Sequence, residues 1–394
     1  MADPNCSSIN DPACKFDPPD VPATNVVDKW DLWHPDSEGR PRLRGANIFQ
    51  RTVASDSSPQ WCSKLHEKFF VQLREAGANY VNLSIPGTYN VNPSIPVDST
   101  KPRYAEIKSF ADRLDTLICW AKKAQLWVVI SFRSAPGRSE SDIVPEAGAE
   151  VVRQLFVSEE AQAAFAEMWE TIALRYKNHP NVAGYDLLVE PHKRNEVQGE
   201  KFDFDQFRER WRNIATNTIE RIRSVDTKTP ILVNLDEYSG AEAIVNWQPL
   251  FADDTKNVRR IVTAVHQYVP YAYTHNDASS GDTSFDPSAK ELHEAFGWIS
   301  NWRLKNPNLP VAANEYGLKP SRPESFRFLK EEIKQLETLG LNHAIWLWDL
   351  RDEDLGDCYD DQMDVFFDPK SKLSDFSRVL RDAWNHGNPI LPPK

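Results

Sequence analysis

Leu126-Trp127-Val128-Val129-Ile130-Ser131-Phe132 is a run of seven residues, apolar but for one serine. Apolar and polar positions do not alternate in it, so a strand here is buried on both faces, as in a parallel sheet covered from each side. Before it, residues 105–124 repeat apolar side chains at helical spacing through Phe110, Leu114, Leu117, Ile118 and Ala121. After it, Ser158 caps a stretch carrying Phe165, Met168, Trp169, Ile172 and Tyr176, which ends before Pro180. The unit is a helix alternating with a strand buried on both faces.

The unit repeats in both directions. Toward the N-terminus, a strand is expected at 43–49, a helix at 63–76 and a strand at 80–85. Toward the C-terminus the expected strands are 182–189, 231–235, 260–266, 309–314 and 344–348. Helices are expected at 204–224 and 374–384, with a weaker, mixed segment after 231–235. Two more helices open with capping boxes, Ser288-Ala289-Lys290-Glu291 and Ser321-Arg322-Pro323-Glu324. Eight strands, nearly all followed by a helix, close most simply into a (β/α)8 TIM barrel of the α/β class. An open doubly wound sheet is the alternative, but no G-x-G-x-x-G follows the first strand. The chain then divides into an N-terminal extension, 1–40, and a single barrel domain, 41–394, with long loops after strands two, three, six and eight.

The chain has 394 residues, 40% hydrophobic and 26% charged. That is ordinary globular usage and excludes a disordered, collagen-like or coiled-coil chain. No stretch approaches the ~20 apolar residues that cross a bilayer. Lys and Arg number 46 against 58 Asp and Glu, a net charge of −12, so nucleic acid and anionic membrane surfaces are not expected partners. Thirteen Trp, eleven Tyr and nineteen Phe supply many rings, the surfaces on which sugars stack. Among the five cysteines, Cys6 and Cys14 share a Pro-rich start with no period of its own, which suggests a disulfide between them and a secreted protein. No leader is legible in Met1-Ala2-Asp3-Pro4.

Chemistry in such a barrel belongs at the C-terminal ends of the strands. Strand four runs Tyr185-Asp186-Leu187-Leu188-Val189-Glu190-Pro191-His192, and strand seven runs Val311-Ala312-Ala313-Asn314-Glu315-Tyr316-Gly317. Each places a glutamate where an apolar run breaks into a loop. Strands four and seven lie nearly across the ring, so Glu190 and Glu315 can flank one bond, as a retaining glycosidase requires. Taken singly, each is better explained as a surface residue at a strand end.

These residues carry a resemblance to glycoside hydrolase family 5, the cellulase family of retaining (β/α)8 glycosidases. Glu190-Pro191 and Glu315 stand at the places of its acid/base and nucleophile. His266-Gln267-Tyr268 resembles its His-x-Tyr, whose tyrosine bonds the nucleophile. Trp346-Leu347-Trp348 resembles its tryptophan pair, which implies that Trp348 floors the sugar. Ser134-Ala135-Pro136-Gly137 and Leu43-Arg44-Gly45-Ala46-Asn47 resemble its third-strand turn and its first strand. The resemblance covers about residues 40 to 385 and implies hydrolysis of a β-linked glucan or related carbohydrate without a cofactor.

Three positions depart from the family. Val81-Asn82-Leu83-Ser84-Ile85-Pro86 lacks its strand-two arginine, Arg133 replaces its strand-three histidine, and Val189 replaces the asparagine that binds the sugar 2-hydroxyl. Arg133 is expected to take over the missing arginine's contact with Glu315, unless it pairs with Glu140 or Asp142. Asn314, Asn82 and His192 are the candidate donors in place of the lost asparagine. The rival reading, prompted by these losses, is an inactive barrel that only binds carbohydrate. No H-x-H or H-E-x-x-H occurs, so no metal is expected at the site. The acidic segment 349–364 reads as a solvated loop or a calcium or amino-sugar site, and Tyr268, Tyr271 and Tyr273 as a sugar-stacking wall or loop packing.

Overall fold

The computed structural model describes residues 12–14, 28–49, 52–53, 60–61, 67–87, 107–139, 152–193, 202–251, 254, 256–275, 290–348, 375–386 and 390–393. The capping box at Ser288, the acidic segment 349–364, Glu140, Asp142 and Cys6 lie outside these residues. Eight parallel strands close a barrel in sequence order. They are β1 (Arg44–Phe49), β2 (Tyr80–Pro86), β3 (Trp127–Ser134), β4 (Val182–Asp186), β5 (Ile231–Asn234), β6 (Ile261–Gln267), β7 (Val311–Tyr316) and β8 (Asn342–Ile345). Arg44 of β1 pairs with His343 of β8, which closes the ring. At Gly45 a Cβ would stand 1.8 Å from the Tyr80 carbonyl oxygen, so only glycine lets β1 come this close to β2.

Beside a single turn at Tyr271–Thr274, seven longer helices cover the outside among the described residues: α1 (Glu67–Glu75), α2 (Ile107–Lys123), α3 (Glu159–Tyr176), α4 (Phe204–Arg223), α5 (Lys290–Lys305), α6 (Ser325–Thr338) and α7 (Asp375–Trp384). Ser158 caps α3 by accepting from Ala161 N–H. Behind β5 the weak helical signal becomes two 3-10 turns, Glu237–Ser239 and Ala241–Val245. The capping box at Ser321 does not form. Turn bonds from Arg322 N–H to the Lys319 carbonyl and from Ser325 N–H to the Arg322 carbonyl take up that backbone. The cap position of α6 therefore falls at Glu324, in the left-handed conformation.

Tyr80, Trp127, Val129, Leu232, Val262, Ala264, Ala312 and Ala344 fill the barrel interior at its lower end. Large rings on β2 and β3 share this buried cluster with alanines on β6, β7 and β8, a mix of large and small side chains that suits close packing. Leu32 and Trp33 close this floor from below. Trp33 Nε1 donates to the Ala183 carbonyl at 3.1 Å, Lys29 Nζ to that of His179 at 2.7 Å and Asn342 Nδ2 to that of Leu32 at 2.8 Å. From the other end of the chain, the Ile390 carbonyl accepts from Trp127 Nε1 and Asn79 Nδ2. The last part of the expected extension, residues 29–33, is thus built into the barrel.

The disulfide differs from the expected one. Cys14 bonds Cys119 on α2, with the two Cα atoms 5.5 Å apart. The single turn Pro12–Cys14 rests against that helix. Cysteines close in sequence had suggested a local bridge, but Cys14 is brought to a partner 105 residues away. Such a long loop makes the bond matter for stability. Cys119→Ser should lower unfolding free energy by about 2–5 kcal/mol, read as a fall in the urea midpoint. Equal midpoints for the variant and the oxidised wild type would show that the bond does not tie the chain.

Candidate active site

Above the apolar floor the barrel interior turns polar. Asp186 of β4 stands at the centre, fully buried. Its Oδ2 accepts from Ser131 Oγ at 2.9 Å and from Asn314 Nδ2 at 2.7 Å. Its Oδ1 accepts from Asn234 Nδ2 at 2.7 Å. Burial pushes its pKa up to about 6, while the bonds from Ser131, Asn314 and Asn234 and the charge of His266 oppose the rise. Both of its oxygens act as acceptors, as those of a carboxylate do, and their donors come from three other strands. A second chain crosses the layer beside it: Asn82 Nδ2 donates to Asn47 Oδ1 at 2.7 Å, and Asn47 Nδ2 to the Asn314 carbonyl at 2.8 Å.

This layer carries both glutamates. Beyond β4 the chain leaves the sheet, and Glu190 takes a left-handed φ of 53°. Its N–H donates to Asn234 Oδ1 at 3.3 Å, so Asn234 links Glu190 to Asp186. Glu315 is aimed by a bulge in β7. Val265 pairs with Ala313 and His266 with Glu315, leaving Asn314 as an extra residue. The bulge sends Asn314 to Asp186 and brings Glu315 to His266. His266 Nδ1 lies 2.8 Å from Glu190 Oε1 and 3.4 Å from Glu315 Oε2. Glu190, His266 and Glu315 offer ligand atoms within 4.8 Å of one another, the group among the described residues that could hold a metal ion.

Electrostatics distinguishes the two acids. Burial raises Glu190, but the hydrogen bond and charge of His266, then Arg133, outweigh it and hold the carboxyl below its ordinary range. Burial, helped by the charge of Glu190 and opposed by His266 and Arg133, pushes Glu315 up to about 7. His266 is raised, because the charges of Glu315 and Glu190 and the Glu190 bond outweigh its burial. Tyr268 donates its hydroxyl to Glu315 Oε2 at 3.2 Å.

Arg133 sits at a second bulge. Ile85 pairs with Phe132 and Pro86 with Ser134, so Arg133 is extra in β3 and turns inward. Its Nη1 lies 3.6 Å from Glu315 Oε1 and donates to Ser84 Oγ at 3.3 Å. The guanidinium lies over the rings of Phe49 and Trp346, 4.8 Å from each centroid.

Several expected residues stand elsewhere. Trp348 is not at the mouth. It is 1% exposed, packs against Trp384 and donates Nε1 to the Phe69 carbonyl, in the layer between barrel and helices. Trp346 is the ring beside Arg133 and Tyr268, so the tryptophan facing the site is the first of the pair. Asn82 and Asn314 have their amide groups engaged inside the barrel. His192 lies behind Glu190, with Nδ1 2.9 Å from the Glu190 carbonyl and its ring stacked on Tyr238. Tyr273 packs under Arg322 and donates to the Pro323 carbonyl, whereas Tyr271 is exposed and stacks on His275. Sequence reasoning missed Asp186, Asn234, Ser131 and Arg138. A lone aspartate inside the apolar run 182–189 was the available signal.

Asp186→Asn tests this arrangement, because an amide replaces one acceptor with a donor. Its NH2 must face either Asn234 Nδ2 or the pair Ser131 and Asn314. At pH 7 the variant should lose about 1–3 kcal/mol in urea unfolding. An unchanged midpoint would mean that Asp186 is not the acceptor these donors share.

The comparisons with known proteins agree with one another. The family model "Cellulase (glycosyl hydrolase family 5)" matches residues 38–352. Endoglucanase C of Acetivibrio thermocellus is 26% identical over 212 residues, 54% of this chain and 52% of that protein. Cellodextrinase A of Ruminococcus flavefaciens is 29% identical over 168 residues, 43% of each chain. The chain thus spans about half the length, or less, of these relatives. Among solved structures, Thermotoga maritima Cel5A with cellobiose superposes with a TM-score of 0.63 at 22% identity, covering 91% of this chain and 99% of that one. The same enzyme with mannotriose gives 0.63 at 22% identity, covering 86% and 97%. With its strands closed in this order and a family match over most of its length, the chain belongs to glycosyl hydrolase family 5, the cellulase family.

Proposed function

We propose that this chain is a retaining β-glycoside hydrolase in which Glu315 is the nucleophile and Glu190 the acid/base. The observation that carries the reading is the pair of carboxylates with oxygens within 4.8 Å, with His266 in contact with both. Retaining enzymes hold these groups about 5–5.5 Å apart, whereas inverting ones leave roughly 6.5–9.5 Å for a water. Glu315 attacks the anomeric carbon as the glycosidic bond breaks, and Glu190 gives its proton to the departing oxygen. Water then attacks the glycosyl-enzyme, Glu190 takes its proton, and Glu315 leaves as carboxylate.

Proton placement follows from the site. The cluster holds an acid proton that it loses near pH 7, on the side of Glu315 before substrate arrives. Attack needs that proton on Glu190 and Glu315 bare. Arg133 and the Tyr268 hydroxyl favour a bare Glu315, and His266 is within reach of both carboxylates. A bound glycosidic oxygen gives the proton on Glu190 an acceptor. Trp346 is the ring on which the cleaved sugar stacks, in place of Trp348. Arg133 takes the role of the strand-two arginine that the chain lacks.

A β-glucan is the first substrate to try and a β-mannan the second. Glucose and mannose differ at C2, and residue 189, where the family keeps an asparagine, is an apolar valine. The Thermotoga maritima relative was solved with both cellobiose and mannotriose. The Cys14–Cys119 bond supports a secreted protein, since disulfides persist in oxidising compartments. Residues 41–394 act in this reading as one catalytic domain.

Kinetics on aryl β-glucosides and β-mannosides test the assignment. Glu315→Ala should abolish turnover, with azide restoring part of it and giving a glycosyl azide of inverted anomeric configuration. Glu190→Ala should slow substrates with poor leaving groups by about 10²–10⁴-fold and those with good ones much less. Full activity in either variant would end the reading.

The pH profile gives a separate check. The acid form is present below about pH 7 and is lost as pH rises through that value. kcat/KM should therefore fall above about pH 7, approaching tenfold per pH unit. A profile still flat at pH 9 would contradict a cluster that works with one proton.

A further inference from the structure

We propose that Arg138, outside the two carboxylates and their direct partners, is a positioning residue for Glu190: it fixes the acid/base by holding the main chain on both sides of it. The inference rests on Glu190 being the acid/base. Arg138 ends the turn Ala135-Pro136-Gly137-Arg138, in which Arg138 N–H donates to the Ala135 carbonyl at 2.8 Å and Ala135 N–H to that of Arg138 at 2.9 Å. Pro136 suits the second position of such a turn, and Gly137, at a φ of 79°, suits the third. A Cβ on Gly137 would stand 2.6 Å from Ala161 Cβ and 2.8 Å from Leu155 N, so the turn is also pressed against α3 and the segment before it.

The turn sends the Arg138 side chain back under the ends of β3 and β4, where it is fully buried. Nη1 donates to the Val189 carbonyl at 2.6 Å and Nη2 to the Glu190 carbonyl at 2.9 Å. Nη1 also reaches the Arg133 carbonyl at 3.5 Å. Two successive carbonyls can meet one guanidinium only if they point the same way. In an extended chain they point in opposite directions, whereas a left-handed residue between them turns them together. Glu190 is that residue, with a φ of 53°. A glutamate disfavours this conformation, because its Cβ crowds the following carbonyl.

Arg138 therefore supplies the bonds that keep Glu190 in an unfavourable backbone state. That state aims the carboxyl at His266, 2.8 Å away. Lysine could not reproduce it, since a single ammonium lacks the planar fork that takes both carbonyls in fixed directions. Asn234 on the Glu190 N–H and His192 against its carbonyl complete the hold.

The consequence is a defect confined to proton transfer. Without Arg138 the left-handed turn relaxes and Glu190 swings from its place, while Glu315 keeps Tyr268 and the Arg133 guanidinium, since Arg138 meets only the Arg133 main chain, at 3.5 Å, and Ser84, Phe49 and Trp346 hold the guanidinium itself. The experiment compares Arg138→Met with wild type on two aryl β-glycosides of the sugar the enzyme accepts, a phenyl and a 2,4-dinitrophenyl glycoside. We expect kcat/KM on the phenyl glycoside to fall about 10–100-fold, and on the dinitrophenyl glycoside, which leaves without a proton, by less than about threefold. Arg138→Lys should show the same split, and guanidinium ion added to Arg138→Ala should recover part of the phenyl rate. Should Arg138→Met fail to fold, Arg138→Lys, which keeps the charge, carries the comparison. Equal losses on the two substrates, or no loss, would overturn the inference. Glu190→Ala run alongside separates the two claims. If it shows no leaving-group dependence, the reading of Glu190 is wrong. If it does and the Arg138 variants do not, only the role of Arg138 is.

Discussion

A carboxylate sealed inside a barrel must be surrounded by donors, and Asp186 sets that constraint for the whole mouth. Its partners come from β3, β5 and β7, so one side chain ties four strands at one level. Each partner then does something above that level. Asn234 accepts from the Glu190 main chain, and Asn314 occupies the bulge that brings Glu315 round. Without an anion at this point, both amides lose the acceptor that their NH2 groups face. The apolar floor below gives the layer a fixed base, and the site rests on both.

The barrel was legible because its signal is coarse. Continuous apolar runs such as 126–132 and helical spacing such as 159–176 survive an error of one residue. The site was legible only where a motif names a position, as at Glu190, Glu315 and His266. What failed depended on registers finer than any run. The bulge at Asn314 turns adjacent residues inward together, which strict alternation forbids, whereas the contact expected of Arg133 with Glu315 is present at 3.6 Å. The Trp346-Leu347-Trp348 triplet presents one ring to the mouth and one to the helices, and nothing in the spelling says which. Cys14 was assigned by nearness in sequence, although its partner is decided by where Pro12–Cys14 rests.

Two of the departures from the family meet in space. A small Ser84 on β2 stands next to Arg133 on β3, whose guanidinium lies 3.6 Å from Glu315. Phe49 and Trp346 flank it and hold its plane, a placement that depends on neighbouring strands rather than on residue 133 alone. The positive charge beside Glu315 is thereby supplied from β3.

The floor has a consequence in time rather than in space. Arg42 and Leu43 N–H donate to Asn342 Oδ1 across a sequence separation of about 300, and Asn342 binds Leu32 in turn. During synthesis, at about 5–20 residues per second, these early residues wait roughly 15–60 s for Asn342 to be made. Until then β1 has β2 on one side and an open edge on the other, beside rings that belong to the floor. The nascent barrel is thus an unfinished cylinder for the whole of that interval. An edge left open in this way can pair with another chain until β8 covers it.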